Sequence, residues 1–435
     1  MPVVDVARVP NVHHKSEKQG EQIMKWVPTL VNLDKHIHIP DVDQNMESPD
    51  KFVEDYISNL TKTTMDMSGP LWDLHLLNVT ITNAEAVGVF RIHHSLGDGV
   101  SLMSLLLACT RQTSNPNALP SIPRKNVVIR KKPNRLWRLL KAIWMMWVIF
   151  QLMWNTFMDM VVFMCTSIFL KDTETPFKGA PGVELTPKRI VHRTVSLDDI
   201  KLVKNAMNMT INDVVLGVTA AGLSRYLNRR YGEGKKDKGS TQKKNNLRKY
   251  IRLRATLLVN IRPSVGIQAL ADMMDKGKSD AKWGNWMGYV LLPFNIGLRD
   301  DPLDYVREAK AIIDRKKLSL EAIYTFSCGS FIVNSLGTKA ASALSNKILA
   351  NTTMSFSNIV GPLEEISFYG HPMVYLAPSV YGHPHGLTIH LQSYLDKMTI
   401  VLTVDEKCVP DPHQLCDDLE ESLKLIKGTI LAGRS

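Results

Sequence analysis

Cysteine is scarce in this chain. The five Cys, at positions 109, 165, 328, 408 and 416, include no CxxC pair. That argues against a disulfide framework and a zinc ribbon, and it fits a reducing compartment. No GxSxG occurs, so a serine nucleophile on a strand-to-helix elbow is not indicated. The opening residues, MPVVDVARVPNVHHKS, lack the apolar core of a signal peptide. A broad face of one charge is missing too, although the formal net charge is +11. Residues 121–141 hold eight Lys/Arg and no acid, and residues 231–254 hold nine Lys/Arg and two acids. These two segments together exceed the net charge of the whole, so the remainder is slightly acidic. Basicity confined to two short segments, with no zinc-finger spacing and no aromatic ribonucleoprotein motif, argues against a nucleic-acid partner.

What is present is ordinary globular composition, 44% hydrophobic and 22% charged, which argues against a mainly disordered or fibrous chain. A length of 435 residues suits two or three domains with a sizeable core. The first basic segment runs into an apolar one. From 142 to 170 only Asp159 is charged, and four of the eight Trp lie at 137, 144, 147 and 154. Trp beside a basic flank is the pattern of an interfacial anchor on an anionic membrane. As one helix the segment would be roughly 43 Å long, enough to span a bilayer. Gln151, Asn155 and Asp159 weaken a lipid-exposed span. A single span would also separate the chemical motifs on its two sides, so a helix lying in one leaflet is favoured, with the rest cytosolic. A buried core helix or an inter-domain connector is the competing reading.

Periodicity predicts helices at 52–65, 98–110, 197–207, 210–232, 302–317, 321–349 (in two pieces) and 411–431. It predicts strands at 70–79, 85–94, 189–196, 251–261, 285–296, 352–359, 366–376, 387–395 and 398–404. Residues 171–188, with three Pro, read as a linker, and 233–249 as a solvated loop. The expectation is two α/β halves with mixed sheets, residues 1–178 and 179–435, the basic and apolar segment 121–170 belonging to the first.

The stretch RIHHSLGDG at 91–99 carries the most chemical information. A strand delivers His93 and His94 to its end, and four residues later Asp98-Gly99 opens a helix. A neutral imidazole is suited to accept a proton at pH 7. Asp98 can orient His94, or cap the helix and pair with a distant cation; spacing favours the second. The plain alternative is two core His and a turn.

This motif resembles the active-site signature of the CoA-dependent acyltransferase superfamily, which includes chloramphenicol acetyltransferase and the plant BAHD enzymes. Within it, HHxxxDG is similar to the wax ester synthase/diacylglycerol acyltransferase family, whose plant branch the C-terminal GHPHGLTIHLQSYLDKMTIVLTVDE also resembles. The other matching segments are PLW (70–72), TINDVV (210–215), VNIRP (259–263), GNWMG (284–288) and SNIVGP (357–362).

The resemblance implies a two-domain chloramphenicol acetyltransferase-like fold, with a family C-terminal domain at about 284–431. It implies His94 as general base, taking the proton of a hydroxyl that attacks an acyl-CoA thioester without an acyl-enzyme. Asp98 would form a structural ion pair with Arg262, and Gly99 would allow close backbone packing. Asn212 and Asp213 would line the channel or hold the second domain, or simply cap a helix. Asn285, Ser357 and Asn358 are channel or oxyanion candidates, each also readable as part of a turn or bulge, as is Gly288. The donor is a long-chain acyl-CoA, a substrate and not a cofactor. The acceptor is a long-chain alcohol, giving wax ester, or diacylglycerol, giving triacylglycerol. The implied location is the endoplasmic reticulum membrane, with the plasma membrane as a second site. In that family a strand–helix–strand unit precedes the stretch that here begins near residue 25, so a first-half sheet short of strands is expected. The rival readings are a non-catalytic lipid-binding relative and a soluble acyltransferase for small hydrophilic alcohols. His383 and His385 read as a loop pair without a third metal ligand. Residues 234–239 only superficially resemble a phosphate loop.

Overall fold

A computed structural model of the chain describes residues 31–121, 135–233, 245–262 and 284–433, with the short strands Asn11–Val12, Ser16–Lys18, Glu21–Ile23 and Trp26–Val27. The phosphate-loop reading at 234–239, with residues 122–134 and 234–244 of the two basic segments, lies outside these residues. In chain order the main elements are β1 (Ile37–His38), α1 (Pro49–Leu60), β2 (Trp72–Leu77), β3 (Val87–Ile92), α2 (Gly99–Cys109), β4 (Arg111–Gln112) and α3 (Arg135–Ile168). There follow β5 (Arg189–Ser196), α4 (Leu197–Ala206), α5 (Ile211–Glu233), β6 (Arg252–Asn260), β7 (Met287–Asn295), α6 (Leu303–Lys317) and α7 (Glu321–Asn351). The chain ends with β8 (Met354–Ile359), β9 (Ile366–Phe368), β10 (His371–Pro372), β11 (Leu387–Tyr394), β12 (Lys397–Val404) and α8 (Pro412–Ala432).

Two compact units form, and they are not separated by one cut near residue 178. The first takes residues 1–122, 262–286 and 361–376; the second takes 123–261, 287–360 and 377–435. The late returns have local causes. β9 pairs antiparallel with β4, Ile366 opposite Gln112, and Arg262 binds Asp98. The apolar segment thereby falls in the second unit rather than with residues 1–178.

In the first unit β1, β2 and β3 form a sheet, β2 and β3 antiparallel with Trp72 opposite Ile92. The strand predicted at 366–376 is instead two short ones, because Tyr369 (φ 50°) and Gly370 (φ 87°) turn the chain between them. The second unit is built on a six-stranded mixed sheet in the order β7-β6-β8-β11-β12-β5, with β8 parallel to both its neighbours. β11 is buried along almost its whole length, as a strand covered on both faces must be.

α5 packs on this unit's core and is itself buried nearly all round, with Val214, Leu223, Tyr226 and Leu227 fully enclosed. Such a helix can approach its neighbours only where side chains are small. A Cβ on Gly217 would stand 2.8 Å from the Val306 Cα on α6. α3 starts earlier than its apolar run, at Arg135, since Arg, Leu and Lys are good helix formers. Its C-terminal end is tied to the sheet through Arg254. That buried guanidinium pairs with Asp172 at 2.6 Å and also donates to the Thr166 hydroxyl. α7 is broken at Gly337 (φ 81°), the division into two pieces expected from sequence.

Candidate functional site

The strand that carries the two His is clamped on its own unit. Arg91 donates from Nε and Nη2 to Asp73 on β2, and from Nη1 to the Leu60 carbonyl at the end of α1. Asp73 also faces His75 Nε2 at 3.2 Å, and His75 Nδ1 lies 2.7 Å from the Tyr56 hydroxyl. Burial, opposed by Asp73, holds the His75 pKa below its ordinary value. The Arg91–Asp73–His75–Tyr56 network was not anticipated. Its only sequence trace is the polar alternation inside PLWDLHLL.

Past Ile92 the backbone leaves the strand. The His93 N–H donates to the Leu71 carbonyl at 2.9 Å, and the Leu96 N–H to the His93 carbonyl at 3.0 Å. The Ser95 N–H donates to His93 Nδ1 at 3.2 Å. Desolvation, and then the neighbouring His94, lower the His93 pKa. His94 itself is exposed. A proton acceptor at this position is open to approach and sits on a loop anchored at both ends.

The second anchor is Asp98, 1% exposed. Its Oδ1 caps α2 by accepting the Ser101 N–H at 2.8 Å. Its Oδ2 accepts Arg262 Nη2 at 2.6 Å and the Trp286 N–H at 3.1 Å. Arg262 reaches on to the Ser101 hydroxyl at 2.8 Å and to the Gly284 carbonyl at 2.6 Å. Asn285 Nδ2 donates to the backbone carbonyl of His94 at 3.0 Å. Three sequence-distant pieces, 94–101, 262 and 284–286, thus meet around one buried carboxylate, which is engaged in capping and in ion pairing together. Gly99, the first residue of α2, is exposed.

The remaining candidates belong to the second unit. The Asp213 carboxylate is fully buried and accepts the Thr210 N–H at 2.7 Å, while the Asp213 N–H donates to the Thr210 hydroxyl at 3.3 Å. This is a reciprocal cap at the start of α5. Asn212 Oδ1 accepts Asn358 Nδ2 at 2.6 Å, which joins the start of α5 to the end of β8. Ser357 is half-buried on β8, opposite His390 on β11. Gly288 faces α7 so closely that a Cβ would fall 1.8 Å from the Ala322 carbonyl oxygen.

His385 is buried, between the Thr352 and Ser355 hydroxyls at 2.9 Å each, and His383 Nε2 lies 3.0 Å from the same Ser355. Burial, with His383 adding to it, pushes the His385 pKa well below the ordinary imidazole value, so this ring is neutral. Among the described residues no group of three His, Cys, Asp or Glu is placed to hold a metal ion.

Comparison with known proteins bears on this arrangement. Residues 7–215 match the wax ester synthase/diacylglycerol acyltransferase catalytic domain, and residues 283–427 match the WS/DGAT C-terminal domain. The chain is 53% identical over 417 residues to wax ester synthase/diacylglycerol acyltransferase 11 of Arabidopsis thaliana, covering 94% of this chain and 83% of that protein. It is 55% identical over 418 residues to Arabidopsis wax ester synthase/diacylglycerol acyltransferase 5, covering 94% of this chain and 82% of that protein. Among solved structures, the wax ester synthase/diacylglycerol acyltransferase of Marinobacter aquaeolei superposes with a TM-score of 0.57 at 15% identity, covering 97% of this chain and 86% of that one. The first condensation domain of the CDA synthetase superposes with a TM-score of 0.53 at 11% identity, covering 97% and 83%. These two likenesses show the fold.

Proposed function

Because the chain belongs to the wax ester synthase/diacylglycerol acyltransferase family and is an acyltransferase, we propose that His94 is the general base of long-chain O-acyl transfer from acyl-CoA. The acceptor is a long-chain alcohol, giving wax ester, or diacylglycerol, giving triacylglycerol. His94 takes the hydroxyl proton as the acceptor oxygen bonds to the thioester carbonyl carbon. The tetrahedral oxyanion collapses, the C–S bond breaks, and the thiolate of CoA leaves and recovers a proton from the imidazolium. No group beyond the two substrates is needed for this balance, so acyl-CoA enters as a substrate and the proposed step calls on no cofactor or metal. Base catalysis of this kind contributes about 10²–10⁴-fold.

The observation that carries the reading is an exposed imidazole on a loop braced from behind by a buried ion pair. Asp98 and Arg262 act on His94 by fixing its backbone, and Asn285 holds the His94 carbonyl directly. Gly99 starts the capped helix without a side chain in the way. Asn212, Asp213 and Asn358 set the start of α5 against the end of β8 as part of the acyl channel. Ser357 remains the candidate oxyanion donor, with the spare amide hydrogens of Asn358 and Asn285 beside it in role.

We further propose that α3 lies in one leaflet of the endoplasmic reticulum membrane, with the catalytic part cytosolic and the plasma membrane as a further site. Lys141–Ile168 is long and apolar enough to cross a membrane. Its polar side is nevertheless used by protein: Asp159, 2% exposed, binds Arg315 at 2.7 Å and Lys316 at 3.0 Å, and Asn155 donates to the Leu318 carbonyl. Its other side exposes Trp144, Trp147, Phe150 and Trp154. One polar side bound to protein and one aromatic side left open describes a helix in the interface better than one that spans.

The deciding experiment incubates the purified chain with palmitoyl-CoA and either hexadecanol or diacylglycerol, beside His94→Ala. Ester forms with the parent protein, and the variant loses at least ~10²-fold in kcat. Equal rates for the two would remove His94 from the mechanism.

A further inference from the structure

We propose that the first half of α7, residues 322–338, is a second lipid-seating surface that works beside α3, its occupant an anionic phospholipid leaflet. The inference rests on the reading of α3 as an interfacial helix. Residues 322–338 contain no Asp, Glu, Lys or Arg. A helix of that composition in a soluble protein would bury a stripe of its apolar side chains. Here no residue between Thr325 and Ile348 is buried. Phe331 is 70% exposed and Leu336 68%, with Ile323, Tyr324 and Val333 also open. So many exposed apolar side chains on one uncharged helical stretch point to an interaction site rather than chance exposure.

Its position points to the occupant. The 318–320 turn that leads into α7 is bonded to the polar side of α3: the Leu320 N–H donates to the Thr156 hydroxyl at 2.9 Å, and Asn155 to the Leu318 carbonyl at 3.1 Å. Farther along, Phe163 of α3 packs with Ile348 of α7 and Leu291. α7 is thereby held against α3 at both its start and its far end, and both helices leave apolar side chains exposed. Both ends of α7 are held by protein, through Glu321 with Lys316 and through buried Ile348 and Asn351. The open stretch between them is a fixed platform. At Gly337 the helix breaks, and the exposed Lys339 and Lys347 follow. In sequence, residues 121–134 before α3 hold five Lys/Arg, and Arg135, Arg138 and Lys141 follow within α3. An apolar surface bordered by cations suits lipid tails ringed by anionic headgroups. Two helices, rather than one, would fix the tilt of the enzyme on the leaflet from which its water-insoluble acceptor arrives.

The test is flotation of the full chain with phosphatidylcholine vesicles, with and without phosphatidylserine. It compares the parent protein, Phe331→Glu/Leu336→Glu on α7 and Trp147→Glu/Phe150→Glu on α3. Circular dichroism and elution volume check that each variant is folded. In parallel, an environment-sensitive thiol dye is placed on the exposed Cys328, with Cys109 and Cys165 replaced by Ser. The expected result is flotation of the parent protein, strongest with phosphatidylserine, a loss of at least ~tenfold in partitioning for each double variant, and a blue shift of the dye on vesicles. If the α7 variant floats like the parent and the dye does not shift, the α7 surface is refuted while the α3 reading stands. If the parent protein itself fails to float, both readings fall. If the α7 variant keeps its flotation but turns a dimer into a monomer, the face seats a second copy of this chain and the lipid proposal is overturned.

Discussion

Asp98 has a carboxylate whose two oxygens do different jobs, one ending a helix and the other neutralising Arg262 and receiving the Trp286 N–H. Removing it leaves a guanidinium with a 7% exposed side chain facing a gap. Breaking a buried pair from one side costs about 3–5 kcal/mol, so Asp98→Ala is expected to lower the denaturant midpoint markedly as well as activity. Asn285→Ala separates positioning from stability. It releases the His94 carbonyl and removes one candidate oxyanion donor, so kcat should fall at least about tenfold with KM and Tm little changed. A matching rise in KM would instead assign Asn285 to substrate binding.

His385 makes a prediction about pH. Its folded pKa lies well below the ordinary imidazole value because the ring is buried, so the unfolded chain binds a proton that the folded chain refuses. Stability is therefore constant above the unfolded pKa of about 6.5 and falls as pH drops below it, by up to about 1.4 kcal/mol per pH unit from this group. Urea titrations between pH 7 and pH 5 should show that slope, and His385→Asn should reduce it, His75 and His93 contributing losses of the same sign. The geometry near position 94 was readable in advance because it is local: a strand end, a turn and a cap within nine residues. The Arg91–Asp73–His75–Tyr56 network was not, because two strands and a helix have to meet before its members are neighbours.

Among the elements, α5 and α7 show how close packing uses glycine. Gly288 on β7 lies so near the Ala322 carbonyl that any side chain must displace the start of α7. Gly217 meets the α6 backbone in the same manner, though less severely. Overpacking a core costs about 1–3 kcal/mol. Gly288→Ala is expected at or above the top of that range and Gly217→Ala within it, read as a fall in Tm; an unchanged Tm in Gly288→Ala would mean that α7 shifts freely. Element types followed well from periodicity, since α4, α6, β5 and β12 each carry a clean pattern. The strand predicted at 366–376 broke because Tyr369 adopts a positive φ that a non-glycine residue rarely announces.

The whole molecule departs from a linear reading more than its elements do. A chain read from one end to the other suggests a cut at a linker, and 171–188 looks like one. Instead Arg262 and the 361–376 segment return to the first unit, and the apolar helix belongs to the second. What the sequence determined alone was the family and the mixed α/β class, because those signals are carried by short contiguous motifs. The Asp98–Arg262 pair, 164 residues apart, was expected only through the family resemblance, and only the tertiary structure decided which groups hide Asp159, from 156 and 157 residues away. Contacts at such separations are set by how sheets and helices stack, for which neighbouring residues in the chain hold no record. The same reason explains why the apolar half of α7 became visible as a surface only after the fold had placed it beside α3.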